Sequence, residues 1–184
     1  MEISLAAPYG LAPARNEPTK AMREASWKPA TETVSVDGHF VQVRPYEDGF
    51  IYTRMDANDE AQLYICFVHK FSYQGRDVYV QKNVWQLPGC PKGFARLVMR
   101  YFSQNGNILV SDERQRKLGA EMWKRFVKED TNDRFVYVQH TNGLSLVEPH
   151  TKNMMLSFAY QGNATDKLFV VSDKPVNGRV RSKW

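Results

Sequence analysis

The stretch DVYVQKNVWQLPGCPKGFARLVMRYFSQNGNILVS, Asp77 to Ser111, changes its periodicity twice, and those changes set the fold. Residues 77–85 are rich in β-branched and aromatic side chains, as a half-buried strand requires. After the turn Leu87-Pro88-Gly89-Cys90-Pro91, residues Phe94, Leu97, Val98, Tyr101 and Phe102 fall at i, i+3, i+4, i+7 and i+8, the apolar stripe of a helix. Asn105-Gly106 supplies a left-handed residue to end that helix. Residues 107–111 are short and apolar enough for a buried strand. A strand, helix, strand unit makes a right-handed crossover, so the two strands are expected to be parallel.

Upstream of this unit the pattern has period two. Val34 and Val36 stand before Asp37-Gly38 and Phe40-Val41-Gln42-Val43 after it, a strong hairpin signal. Strands over 50–55, 62–71 and 77–85 follow with turn-sized gaps, which predicts an antiparallel meander. Downstream, Asp112 and Gln115 have capping-box spacing before a helix whose apolar positions are Leu118, Met122 and Phe126. Residues 134–140 and 144–147 read as a hairpin around Thr141-Asn142-Gly143, and 154–160 and 167–171 as two edge strands. The expected fold class is α/β (α+β): a mixed, largely antiparallel sheet with helices on its faces.

The chain divides into an arm over 1–30, one domain over 31–173 and a tail over 174–184. The arm holds four of the nine prolines and a short helical window at 19–27 that Thr19 can cap; Trp27 argues that it packs on the domain or on a neighbour. The tail has four basic side chains and no acid. At 184 residues, 42% hydrophobic and 24% charged, the composition excludes a disordered or fibrous chain, and the length supports a core without disulfides or metal. Cys66 and Cys90 read as reduced thiols of a cytoplasmic protein. No stretch approaches the length of a membrane span and no secretory leader is expected. His39, His69, His140 and His150 are scattered, so no metal site is expected.

Charge is concentrated in the two central helices. Residues 91–128 contain nine basic residues against three acids, which leaves the rest of the chain at −1 out of a total of +5. A solvated helix face explains this simply. An anionic partner, a phosphate-bearing cofactor or a nucleic acid, explains it functionally. Cys90-Pro91-Lys92-Gly93-Phe94-Ala95 is the sharper feature. It stands between strand and helix, where backbone N–H groups and the positive end of the helix dipole can receive a phosphate.

With this turn in place, the stretch from Asp77 to about Phe126 resembles the core of the GNAT superfamily of N-acetyltransferases. That family's phosphate turn reads Gln/Arg-x-x-Gly-x-Gly/Ala; here it is Cys90-x-x-Gly93-x-Ala95, with Cys at the Gln/Arg place. The resemblance implies that backbone amides near Lys92, Gly93, Phe94, Ala95 and Arg96 hold the pyrophosphate of acetyl-CoA or another acyl-coenzyme A. The pantetheine arm would then run beside the strand that carries Val84. It further implies acyl transfer to an amine, with Trp123 standing where the family often has a proton-donating Tyr. Degenerate GNAT-like proteins of tailed bacteriophages are also similar, and they suggest a non-catalytic interaction or structural protein of a phage particle, its partners met through the arm and the basic tail.

The acyl transfer needs a base. Glu60, Asp56, His69 and Asp77 lie on or beside the central strands and are candidates, although His69 alternates with Phe67 and Phe71 and so reads equally as a hydrogen-bonded core histidine. Nucleic-acid binding is the remaining class, from aromatics interleaved with basic residues such as Tyr52, Arg54 and Tyr64.

Overall fold

An Asp37-Gly38 pair with both residues at positive φ turns the chain as a two-residue hairpin, and the alternating strands on either side zip into a sheet. The computed structural model describes residues 17–112, 117–130, 134–140, 143–159 and 168–177. Helix α1 (Lys20–Ser26) precedes five antiparallel strands, β1 (Glu32–Val36), β2 (His39–Tyr46), β3 (Gly49–Met55), β4 (Ala61–Tyr73) and β5 (Arg76–Gln86). Helix α2 (Phe94–Gln104) then crosses to β6 (Ile108–Ser111), which pairs parallel to β5 as the crossover argument requires. Helix α3 (Lys117–Asp130), the hairpin β7 (Phe135–His140) and β8 (Gly143–Leu146), helix α4 (Lys152–Ala159) and β9 (Leu168–Ser172) complete one nine-stranded sheet in the order β1-β2-β3-β4-β5-β6-β9-β7-β8. The fold is the mixed, largely antiparallel α+β class expected from the sequence.

Two assignments are corrected. Residues 154–160 are not an edge strand; α4 occupies Lys152–Ala159, with Leu156 and Ala159 buried one helical turn apart. Methionines and aromatics crowd this short stretch and Ser157 is its single polar residue, so period two and period 3.6 look alike. The segment at 167–171 is a strand, but it is interior: β9 lies between β6 and β7, and all five of its residues are buried. An unbroken Leu168-Phe169-Val170-Val171 run is the signature of burial on both faces, which an edge cannot provide. The capping pair Asp112 and Gln115 cannot be compared, because residues 113–116 lie outside the described residues, as do 1–16 of the arm and 178–184 of the tail.

Side-chain alternation distributes the core over both faces. Helices α2, α3 and α4 cover one, where Phe67 stacks on Phe102 at 4.0 Å between ring centroids, while Tyr52 and Tyr79 meet Phe102 edge-on. On the other face α1 lays Met22 and Ala25 on Ile51, Cys66 and Trp85. Thr19 caps this helix as expected, its hydroxyl accepting from the Met22 N–H at 3.2 Å. Trp27, however, is 77% exposed, so Met22 rather than Trp27 seats the helix. Residues 172–177 close the same face further along. Arg76 donates to the Pro175 carbonyl at 2.9 Å and Gln74 to that of Asn177 at 3.0 Å, and Val176 is buried beside Val78 and Val170.

Truncating Phe102 removes the partner of three aromatic rings at once. Phe102→Ala is expected to lower stability by about 3–5 kcal/mol, read as a shifted urea midpoint; a midpoint unchanged from the parent would show that the stack is not part of the core.

Candidate functional site

The sheet opens beside α3. Strands β5 and β6 pair from Val78↔Ile108 to Gln81↔Ser111, where β6 stops, while β5 continues to Gln86. Just past the last pair the β4–β5 register shifts, so that Lys82 and Asn83 together oppose Cys66. This bulge bends the strand and takes backbone groups out of the ladder. Two contacts flank it. Trp123 Nε1 on α3 donates to the buried Gln81 Oε1 at 3.0 Å, and Lys82 Nζ reaches Asp112 Oδ1 at 3.4 Å.

Between the unpaired half of β5, the start of α2 and α3 lies a cleft of about 400 Å³. Val84, Ala95 and Met122 make its apolar wall. Lys92, Arg96 and Arg125 line it together with one carboxylate, Glu121, which lies 3.7 Å from Lys124. Lys92 and Arg125 form no ion pair among the described residues. The excess of positive charge counted on the two helices is thus directed in part at one cleft.

The turn into α2 is built on Gly93, whose φ of +81° is left-handed and places it as the N-cap residue. The Phe94 N–H donates to the Pro91 carbonyl at 3.1 Å, and those of Arg96 and Leu97 to the Gly93 carbonyl at 3.1 and 3.4 Å. By contrast, the N–H groups of Lys92, Gly93 and Ala95 donate to no protein acceptor among the described residues. They sit at the positive end of the helix, where an anion satisfies both the orphan donors and the dipole. The Arg96 guanidinium covers the turn: a Cβ on Gly93 would lie 2.7 Å from its Nη2.

Of the six residues singled out for cofactor binding, Val84, Lys92, Gly93, Ala95 and Arg96 all line this cleft. Phe94 does not. Its ring is fully buried against His39, with Arg54 above it, and its N–H is already engaged. Cys90 is also buried, and desolvation raises its thiol pKa more than nearby Arg54 lowers it, so the turn does not activate it. Cys66, deeper still, is pushed up further by the same cause.

The candidate bases are elsewhere. His69 and Asp77 do meet, Nε2 to Oδ1 at 3.2 Å, and Ser72 Oγ donates to the same oxygen at 2.8 Å. The Ser72 hydroxyl therefore serves the carboxylate and not the imidazole, which is no arrangement for activating a nucleophile. Asp77 lies seven residues along β5 from Val84, about 23 Å at the rise of a strand. Glu60 is in the β3–β4 turn, its N–H held by the Asp56 carboxylate at 2.9 Å, and does not line the cleft. Trp123 is fully buried between Phe126 and Phe169.

The contributions of α3, Glu121, Met122 and Arg125, were missed by sequence reasoning, since a polar helix face does not announce what it overlooks. The bulge did leave a trace. Val78 and Val80 share one face but Trp85, at odd spacing, joins it too, so the alternation slips across Lys82-Asn83. Among the described residues no group of three His, Cys, Asp or Glu side chains is placed to hold a metal, and no helix is long and apolar enough to cross a membrane. No family model, curated protein or solved structure matches the chain.

The Ser72 hydrogen bond, followed by that of His69, holds the Asp77 carboxyl below its usual range. Its contribution to stability is therefore complete above the unfolded value, about pH 4, and is lost as pH falls through the lower folded value. The stability difference between the parent and Asp77→Asn is expected to shrink on acidification through that window in urea titrations. A difference independent of pH would show that the carboxylate is not held by these partners.

Proposed function

We propose that this chain is a GNAT-like domain that binds an acyl-coenzyme A in the cleft beside β5 and transfers the acyl group to an amine. The observation that carries the reading is the coincidence of an opened sheet with three uncommitted backbone amides, at Lys92, Gly93 and Ala95. The pyrophosphate fits those amides, with Lys92 and Arg125 adding charge. The amide-rich pantetheine arm fits the edge of β5 beyond Gln81, which β6 leaves unpaired and where an extended ligand takes the place of a strand. In the transfer, the amine nitrogen adds to the thioester carbonyl, the C–N bond forms and the C–S bond breaks, the thiolate leaves and the amine proton passes to solvent. A backbone N–H at the Lys82-Asn83 bulge would polarise that carbonyl.

One observation favours a second reading, a GNAT-like protein that binds partners without chemistry, such as a structural protein of a phage particle. Trp123 is buried with its N–H held by Gln81, and Glu60, His69 and Asp77 all stand away from the cleft.

Calorimetric titration with acetyl-coenzyme A separates these. Micromolar binding is expected, weakened at least tenfold, about 1.4 kcal/mol, in Gly93→Asp. Gly93→Asn, which tolerates positive φ without adding charge, is expected to bind more tightly than the Asp variant. No binding by the parent overturns the cofactor assignment; binding without acyl transfer to any of a panel of amines supports the second reading.

A further inference from the structure

The side chain of Arg96 is already occupied by an anion of the protein's own. Its Nε and Nη2 donate to the two carboxylate oxygens of Glu129, both at 2.9 Å, in a parallel fork. Glu129 is in the last turn of α3, so the pair spans the cleft wall from one helix to the other. The guanidinium lies over Gly93, directly above the turn from which the amides of Lys92, Gly93 and Ala95 emerge. An anion that reaches those amides must meet Arg96.

Resting on the cofactor reading above, we propose that Glu129 is a built-in competitor for the cleft's anionic ligand, and that Arg96 exchanges the Glu129 carboxylate for a phosphate when the ligand binds. Three features support the exchange. The two partners differ in exposure: the Arg96 side chain is 19% exposed and that of Glu129 46%, so the carboxylate returns to water easily while the guanidinium stays at the turn. A phosphate presents the same pair of oxygens to the planar fork, and a diphosphate carries two charges where a carboxylate carries one. The cations that remain at the cleft, Lys92 and Arg125, act on the incoming anion and not on Glu129's fork.

The exchange also sets specificity. A tethered carboxylate acts at an effective concentration in the millimolar range or above, so a free carboxylate ligand gains little by displacing it. A phosphoester or diphosphate, which engages Arg96 and the turn amides together, is selected. A purely structural clamp between α2 and α3 makes the opposite prediction, because removing Glu129 would then loosen the cleft and weaken every ligand.

The test is a double-mutant cycle on the full chain, with inorganic pyrophosphate and coenzyme A as probes and succinate as the carboxylate control. Glu129→Gln is expected to tighten pyrophosphate and coenzyme A about two- to fivefold, the range a half-exposed ion pair supports. Arg96→Gln is expected to weaken them, and the double variant to match Arg96→Gln with the gain gone. Glu129→Ser, which removes the fork partner without leaving an amide in its place, is expected to behave as Glu129→Gln does. Unchanged or weaker binding in both Glu129 variants overturns the competitor while leaving the cofactor reading intact. So does a gain that persists when Arg96 is absent, since that marks long-range charge alone. If neither probe binds the parent or any variant, the cofactor reading fails and the competitor with it. Succinate binding as tight as pyrophosphate in the parent overturns the specificity.

Discussion

Everything at the cleft depends on where β6 stops. A parallel strand that ran the full length of β5 would close the sheet and bury the edge beyond Gln81, and α3 would pack on a continuous surface. Instead the pairing ends at Gln81↔Ser111 and the bulge at Lys82-Asn83 turns the rest of β5 away. Such an opening exposes backbone groups, and it needs a fixed boundary so that it neither zips shut nor spreads. The Trp123 indole supplies one. Its N–H reaches the Gln81 amide oxygen, its ring lies parallel to Phe169 of β9, and the hydrogen bond is buried, so α3 is held at the fork from both sides. A buried amide left without that donor would carry a penalty of about 1–3 kcal/mol, which is why a tryptophan at this position is a structural component before it is anything else.

Helices α1 and α2 are tied down by buried cations that donate to neutral oxygens. Arg44 donates to the Lys28 carbonyl just past α1, to Thr53 and to Gln42. Arg134 donates to Ser103 and to the Arg100 carbonyl near the end of α2. Guanidinium groups suit this role because the C-terminal ends of helices present unsatisfied carbonyls and partial negative charge. Burial lowers the Arg44 pKa, yet the group has three acceptors and remains a cation. The basic character of the chain is therefore partly architectural. Of the cations on α2, α3 and the turn before α2, Arg96 and Lys124 answer acids on α3, and Lys92 and Arg125 line the cleft.

Much of this was legible in the sequence, for reasons that differ from place to place. The β1–β2 hairpin was readable because a two-residue turn demands positive φ at both positions and Asp37-Gly38 supplies it. The stripe from Phe94 to Phe102 gave α2 its face, and Gly93 and Ala95, singled out as a turn, both line the cleft. Residues 152–159 failed because a helix of barely two turns offers too few repeats to separate period two from period 3.6. The interior position of β9 was hidden because strand order is decided by partners far away in sequence, here β6 and β7. Arg96's partner was invisible for the same reason: Glu129 is 33 residues on and no local pattern connects them.

Binding and chemistry have different structural requirements, and this fold satisfies them unequally. An anion site needs donors that point outward and a glycine that keeps side chains from them, and both arise from the turn itself. General-base catalysis needs in addition a titratable group within hydrogen-bond reach of the attacking nitrogen. The histidine and carboxylate considered as bases that do touch, His69 and Asp77, are at the far end of the β4–β5 hairpin, where Ser72 shares the carboxylate and the buried Tyr79 ring meets the imidazole. Tyr73, Gln74 and Arg76 at the same end hold the segment that leads to the basic tail. That end of the sheet anchors the chain, and the end beyond Gln81 borders the open cleft lined by Lys92, Arg96 and Arg125. An acceptor amine would have to bring its lone pair to the opening unaided by either candidate base, which favours amines that are already weakly basic and largely unprotonated at neutral pH, or a role in which the bound ligand is held and not consumed.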